Sequence, residues 1–161
     1  MVTENLNTDT EQLEVNRLLS NITDPEIPVL TIADLGILRE VNIKGKNVEV
    51  VITPTYSGCP AMDMIAAHIR MELLSHGYTP IIRTVISPSW TTDWISEEGK
   101  AKLQAYGISP PGNSRETDSI VLCPQCSSAN TKLISQFGST ACKSLYRCLD
   151  CLECFDHFKC H

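Results

Sequence analysis

The sequence predicts two parts: a small mixed α/β (α+β) domain with the element order α-β-β-α-β-α, then a cysteine-rich module stapled by a metal ion. Three observations carry this. Apolar residues recur at helical spacing in the first domain and alternate in strand fashion between its first two helices. The run Ser109-Pro110-Pro111-Gly112-Asn113-Ser114 can continue neither a helix nor a central strand, so it reads as a linker. It divides the chain into residues 1–112 and 113–161. Seven of the eight cysteines fall between Cys123 and Cys160.

The elements follow in order. Residues 9–21 predict a helix: Thr8 and Glu11 have capping-box spacing, and Val15, Leu18, Leu19 and Ile22 share one face. Asp24-Pro25-Glu26-Ile27-Pro28 stops it and forms an extended loop. Ile37 to Lys44 alternates as a half-buried strand, Gly45-Lys46-Asn47 turns, and Val48 to Thr53 returns, so the two predict a hairpin. A helix from about Pro60 to His76 presents Met62, Ile65, Ala66, Ile69 and Leu73, and Gly77 suits its C′ position. Ile81 to Ile86 is a third strand. Ser89-Trp90-Thr91-Thr92-Asp93-Trp94 then leads to a last helix near 96–106, ended by Gly107.

In the tail, Ile120-Val121-Leu122 predicts a short strand entering Cys123-Pro124-Gln125-Cys126. Thr131–Phe137 and Lys143–Arg147 predict two more, the second entering Cys148-Leu149-Asp150-Cys151, and Phe155–Lys159 follows. Each Cys-x-x-Cys turn points two sulfurs at one ion. The two pairs stand 21 residues apart, enough chain for a strand, a turn and a return. Cys123, Cys126, Cys148 and Cys151 therefore suit tetrahedral zinc in a zinc ribbon, and such a closed site leaves no position for metal catalysis. A module this short has too little core to fold unaided, so the metal must supply much of its stability. Thiolates also hold iron–sulfur clusters, which leaves the metal's identity open. Cys142, Cys154 and Cys160 are left over, either as small buried apolar groups or as further thiols.

Bulk properties exclude several functions. The net charge is −6, and residues 1–112 carry all of it, with 8 Lys/Arg against 14 Asp/Glu. An acidic body without a basic stripe is a poor match for nucleic acid. No apolar run approaches the roughly 20 residues of a membrane helix. The polar start, Met1 to Asp9, lacks the pattern of a signal peptide, so a cytoplasmic location is expected. A reducing cytosol makes metal binding the expected use of the cysteines. No Ser-His-Asp order, P-loop or Gly-rich dinucleotide fingerprint occurs.

Cys59 stands alone in the first domain, between Gly58 and Pro60 at the predicted start of a helix. The helix dipole there would lower its thiol pKa, making it a candidate reactive or metal-carrying thiol. It could equally be a buried cap-region cysteine without chemistry. Asp24, Glu26 and Asp34 could add oxygen ligands nearby, or cap turns, the commoner use of such residues. His68 and His76 have no Cys or His at helical spacing to join as ligands. Trp90 and Trp94 read as core or interface anchors.

Asp24-Pro25-Glu26-Ile27-Pro28-Val29, Asp34-Leu35-Gly36 and Thr53-Pro54-Thr55-Tyr56-Ser57-Gly58-Cys59-Pro60 together resemble the metal–sulfur cluster assembly family (SufT-like proteins). Three further stretches narrow the resemblance to the phenylacetate-degradation PaaD (PaaJ) family. They are Ser89-Trp90-Thr91-Thr92-Asp93-Trp94-Ile95, Gln136-Phe137-Gly138-Ser139-Thr140-Ala141-Cys142-Lys143 and Phe155-Asp156-His157-Phe158-Lys159-Cys160. The resemblance runs from about residue 11 to the end. It implies a place in aerobic phenylacetate catabolism, beside the multicomponent oxygenase that epoxidises phenylacetyl-CoA. It implies an accessory rather than a catalytic component, one that helps load iron or an iron–sulfur cluster. The implied partners are the oxygenase and reductase subunits and the iron–sulfur assembly machinery. The alternative is a non-catalytic structural subunit of the oxygenase complex. Asp24, Glu26 and Cys59 lie in the shared motifs and become the implied residues of cluster or iron transfer. Cys142 and Cys160 sit where the family places cysteine. Cys154 departs from the pattern, replacing a proline.

Overall fold

The computed structural model describes residues 3–112 and 120–159. The chain forms two compact units, Met1–Trp90 and Thr91–His161. No helix among the described residues is long and apolar enough to cross a membrane.

The first unit runs α1 (Thr3–Ser20), β1 (Leu38–Lys44), β2 (Asn47–Ile52), α2 (Ala61–Ser75), β3 (Thr79–Thr84). Helix α1 begins well before residue 9, so Thr8 lies inside it rather than at its cap. Residues 3–8 contain no Gly or Pro to stop a helix nucleated on the packed face from propagating toward the N-terminus. That face is the expected one: Val15, Leu18, Leu19 and Ile22 are buried. Strands β1 and β2 pair antiparallel through the turn at Gly45, whose φ of +59° suits glycine. Strand β3 pairs parallel with β2, and α2 makes the crossover that a parallel pair requires. The sheet order is β1-β2-β3. Val48, Val50 and Ile52 of β2 are wholly buried, as are Ile65, Ile69 and Leu73 of α2, which packs on β3 and α1. Trp90 is the expected core anchor: it is buried, and its indole N–H donates to the Leu35 carbonyl at 2.7 Å.

The second unit opens with a 3₁₀ turn (Thr92–Trp94) and α3 (Glu97–Tyr106), followed by β4 (Ile108–Ser109), β5 (Thr131–Ser135), β6 (Lys143–Cys148) and β7 (Cys154–Phe158). Ser96 caps α3, its hydroxyl accepting from the Gly99 N–H at 2.9 Å, and Gly107 ends it in the left-handed region. The four strands order β4-β7-β6-β5, all neighbours antiparallel except β4 and β7. Two features differ from the sequence expectation. Residues 120–122 form no strand; the Val121 carbonyl instead accepts from the Thr131 hydroxyl at 2.7 Å. The ladder position beside β7 is taken by β4, through Ile108↔Asp156 and Ser109↔His157. That parallel pairing joins β4 to the ribbon strands, and α3 and β4 lie in the unit Thr91–His161.

The turn joining β5 to β6 is held from across the sheet. Asp156 on β7 accepts from the Ser139 hydroxyl at 2.6 Å and lies 3.6 Å from the buried Lys143 ammonium. Gly138 lies directly under that carboxylate, where a Cβ would collide with it. The Lys159 ammonium sits 4.4 Å over the Phe137 ring, on the same turn.

Candidate metal centre and the Cys59 loop

Two turns build the four-sulfur centre. In the first, the Cys123 carbonyl accepts from the Ser127 N–H at 2.9 Å, and the Cys123 N–H donates to the Ser128 carbonyl at 2.9 Å. The second joins the end of β6 to the start of β7, with Leu152 in a left-handed conformation (φ 67°). All four ligand atoms lie within 4.8 Å of one another. Cys123 and Cys151 sulfurs are 3.7 Å apart, and Cys126 and Cys148 sulfurs 3.6 Å. Four sulfurs at ~2.3 Å from a tetrahedral ion stand ~3.8 Å from each other. The donor set therefore fits a four-thiolate ion held by Cys123, Cys126, Cys148 and Cys151. Such an ion would cross-link the two turns, with no coordination position left for a substrate.

Backbone N–H groups are already aimed at the sulfurs. Cys151 N–H, at 3.5 Å, and Asp150 N–H donate to Cys148, Ser128 N–H to Cys126, and Glu153 N–H to Cys151. Chiefly the Cys151 N–H brings the Cys148 thiol down to about 7. Cys151 is pushed up to about 12: its Glu153 N–H bond favours the thiolate, but desolvation and the three neighbouring thiols together outweigh it. Without a cation Cys148 and Cys151 thus do not ionise together near neutrality. Cys123 and Cys148 are buried with Phe155, against Val121 and Tyr146, whereas Cys126 and Cys151 face solvent.

Cys142 is not a member of this group. It is buried, and its sulfur lies 3.0 Å from the Thr140 hydroxyl. Cys154 is exposed at the start of β7. Cys160 lies outside the described residues.

Cys59 sits just before α2, where Pro60 takes the cap position without a side-chain bond. The turn is closed by the Cys59 N–H donating to the Tyr56 carbonyl at 3.2 Å. Its thiol pKa is raised, contrary to the helix-dipole expectation. Burial is the largest cause, and the Glu26 carboxylate adds to it. Hydrogen bonds from the Ala61 N–H and from the Thr55 and Tyr56 side chains pull the other way and lose. The fold thus brings Glu26 within electrostatic reach of Cys59.

Asp24 holds the loop backbone in place, its carboxylate accepting from the Glu26 and Ile27 N–H groups, both at 2.8 Å. Asp34 and Thr31 cap each other, side chain to backbone, at 3.0 Å in both directions. With the Thr23↔Thr31 bridge, these bonds fix the loop that carries Glu26. Among the described residues, the four cysteines are the only group of three or more His/Cys/Asp/Glu side chains with metal-holding geometry. His68 and His76 stand outside it. Sequence reasoning missed the N–H donors to sulfur and the role of Asp156; neither gives a signal beyond the Cys-x-x-Cys spacing and a lone acidic residue.

Both parts of the chain have known relatives. Residues 108–159 match the family described as PaaD zinc beta ribbon domain, and residues 12–76 the family described as iron-sulfur cluster assembly protein. Over 151 residues the chain is 50% identical to a protein of Escherichia coli (strain K12) described as a putative 1,2-phenylacetyl-CoA epoxidase subunit, covering 91% of this chain and 92% of the relative. It is 36% identical over 93 residues to "Fe-S protein maturation auxiliary factor" of Porphyromonas gingivalis (strain ATCC BAA-308 / W83), covering 56% of this chain and 88% of that one. The crystal structure of a domain of unknown function, DUF59, from Bacillus anthracis superposes with a TM-score of 0.55 at 22% identity. It covers 59% of this chain and 92% of that one, and shows a likeness of fold alone.

Proposed function

The chain belongs to the PaaD family, that of the Escherichia coli relative, and from this premise we propose that it is an accessory maturation factor of a phenylacetyl-CoA epoxidase. It assists the loading of iron or an iron–sulfur cluster into the oxygenase or reductase, acting in the cytoplasm and without catalysis of its own. The assembly-like part carries the transfer residues. The ribbon, held by zinc on Cys123, Cys126, Cys148 and Cys151, docks the client or the assembly machinery. Cys142 and Cys160 are candidate thiols of that docking surface.

The observation that carries this reading is that Glu26 lies within electrostatic reach of Cys59, inside the segment that matches the cluster-assembly family. One soft and one hard donor would make an incomplete ligand set, suited to a cargo metal whose remaining ligands come from another protein. The raised thiol pKa makes that hold weak, because the metal must displace a proton. Asp24 supports the site by fixing the Glu26 loop.

The test is Cys59→Ser co-expressed with the oxygenase and reductase, followed by metal analysis of both clients. Loss of client iron supports the reading, and full metallation with normal epoxidation sinks it. The relative's description as an epoxidase subunit favours a second reading, a non-catalytic structural component. Stoichiometric co-purification with the oxygenase, with client metallation independent of Cys59, would establish that instead.

A further inference from the structure

The geometry points to Asp150 as a positioning residue of the four-cysteine centre: its carboxylate clamps the two Cys-x-x-Cys turns together and so sets how fast the metal leaves. This clamp lies wholly within the ribbon and does not depend on what Cys59 does.

The turn bonds within each pair, Ser127 N–H to the Cys123 carbonyl and Cys151 N–H to the Cys148 sulfur, do not join one pair to the other. The connection runs through residues 128–130. The Cys123 N–H donates to the Ser128 carbonyl at 2.9 Å, fixing that segment to the first turn. The Asn130 carbonyl accepts from the Leu149 N–H at 2.8 Å, reaching the second turn by backbone. Asp150 then closes the link with side chains. One carboxylate oxygen accepts from the Asn130 amide at 2.8 Å, the other from the Ser128 hydroxyl. The Ser128 hydroxyl oxygen accepts in turn from the Asn130 N–H at 3.0 Å.

The placement of this clamp matters. Cys123 and Cys148 are buried, whereas Cys126 and Cys151 are exposed, so a metal exchanging with solvent leaves past the exposed pair. Asp150 directly precedes Cys151, and Ser128 follows Cys126 by two residues. A carboxylate beside a four-thiolate centre is also electrostatically unfavourable, since a divalent ion leaves that centre net negative. Both oxygens of Asp150 are held by donors, which compensates the repulsion and leaves the clamp as its contribution. Partners outside the ligand set typically change metal affinity by about 10–100-fold.

The test uses the full-length, zinc-loaded protein with an excess of a chromophoric chelator, following the rate of zinc release. Asp150→Ala removes the clamp and a charge; Asn130→Ala removes one donor and keeps the charge. Asp156→Ala is the control: it loosens the same sheet through Ser139 and Lys143 and touches no ligand turn. We expect Asp150→Ala to speed release about tenfold and Asn130→Ala by a smaller factor, in line with such partner effects. Asp156→Ala should lower the melting temperature without comparable acceleration. In cobalt-substituted protein, the ligand-field bands should shift in Asp150→Ala and not in Asp156→Ala. The inference is overturned if Asp150→Ala and Asn130→Ala release zinc at the wild-type rate. It is equally overturned if release tracks melting temperature across all three variants. Should Asp150→Ala fail to fold, Asn130→Ala decides.

Discussion

Gly138→Ala should destabilise the ribbon by about 3 kcal/mol, chiefly by stranding a buried charge, and the reason lies wholly in Asp156. A Cβ at Gly138 would stand 3.2 Å from the Asp156 carboxylate carbon, with one oxygen closer still. Asp156 is a side chain and can swing away, but only by abandoning its partners. Those are the Ser139 hydroxyl at 2.6 Å and the Lys143 ammonium at 3.6 Å. The hydrogen bond is worth about 1 kcal/mol. Lys143 matters more, because its side chain is only 6% exposed. Stranding a buried charge costs about 3–5 kcal/mol. Asp156 is 19% exposed, so water can partly replace it, and the low end of that range applies. The bond to Ser139 is exposed, so water replaces it, and the stranded charge sets the total at about 3 kcal/mol, or roughly a hundredfold rise in the open population of the β6–β7 ladder. Native-state hydrogen exchange at the amides of that ladder reads this directly. Repeating the substitution in an Asp156→Ala background isolates the cause. There the remaining neighbour is the Lys143 Cβ at 3.4 Å, an ordinary contact, and the extra cost should fall below about 1 kcal/mol. An equal cost in both backgrounds, or none in the first, would refute the reasoning.

Three other outcomes follow from the same structure. Stripping the metal with a strong chelator should abolish hydrogen-exchange protection in β5–β7 and leave β1–β3 protected, since metal binding supplies about 10–16 kcal/mol in small zinc modules; retained ribbon protection would contradict this. Burial holds His157 below its ordinary pKa although the Ser109 carbonyl, 3.2 Å from Nδ1, pulls it up. The folded form therefore binds that proton more weakly than the unfolded chain, so stability is full above about pH 6.5 and falls as pH drops below it. His157→Gln should show a shallower loss of melting temperature between neutral and acid pH, and identical slopes would reject the assignment. Glu26→Gln should speed alkylation of Cys59, read by mass spectrometry of its peptide, because the carboxylate raises that thiol's pKa; an unchanged rate would show that Glu26 does not act on the thiol.

Much of this molecule is legible in its sequence because the signals are local. The Val15–Ile22 stripe, the Gly45 turn, the Ser96 and Gly107 ends of α3, and the paired Cys-x-x-Cys spacing each act within a few residues. What escapes depends on contacts between distant segments. Strand β4 is two residues long and exists only because Asp156 and His157 lie beside it. The helix dipole of α2 predicts an acidified Cys59, yet burial and a carboxylate on the 24–30 loop decide the direction of its thiol. Gly138 stands out in the sequence only within the family-like stretch Gln136–Lys143, and its requirement comes from a side chain 18 positions later. The part played by Asp150 is invisible for the same reason, since its donors stand 20 and 22 residues upstream.

On this account one chain handles two metals, a permanent ion in the ribbon and a transient cargo at Cys59. The most direct test is elemental and sulfide analysis, with visible spectra, of protein purified without oxygen after co-expression with the oxygenase and reductase. Wild type and Cys59→Ser should each hold one zinc, and iron should accompany the wild type alone. Iron retained by Cys59→Ser but lost from a Cys126→Ser variant would place the cargo in the ribbon and contradict the account.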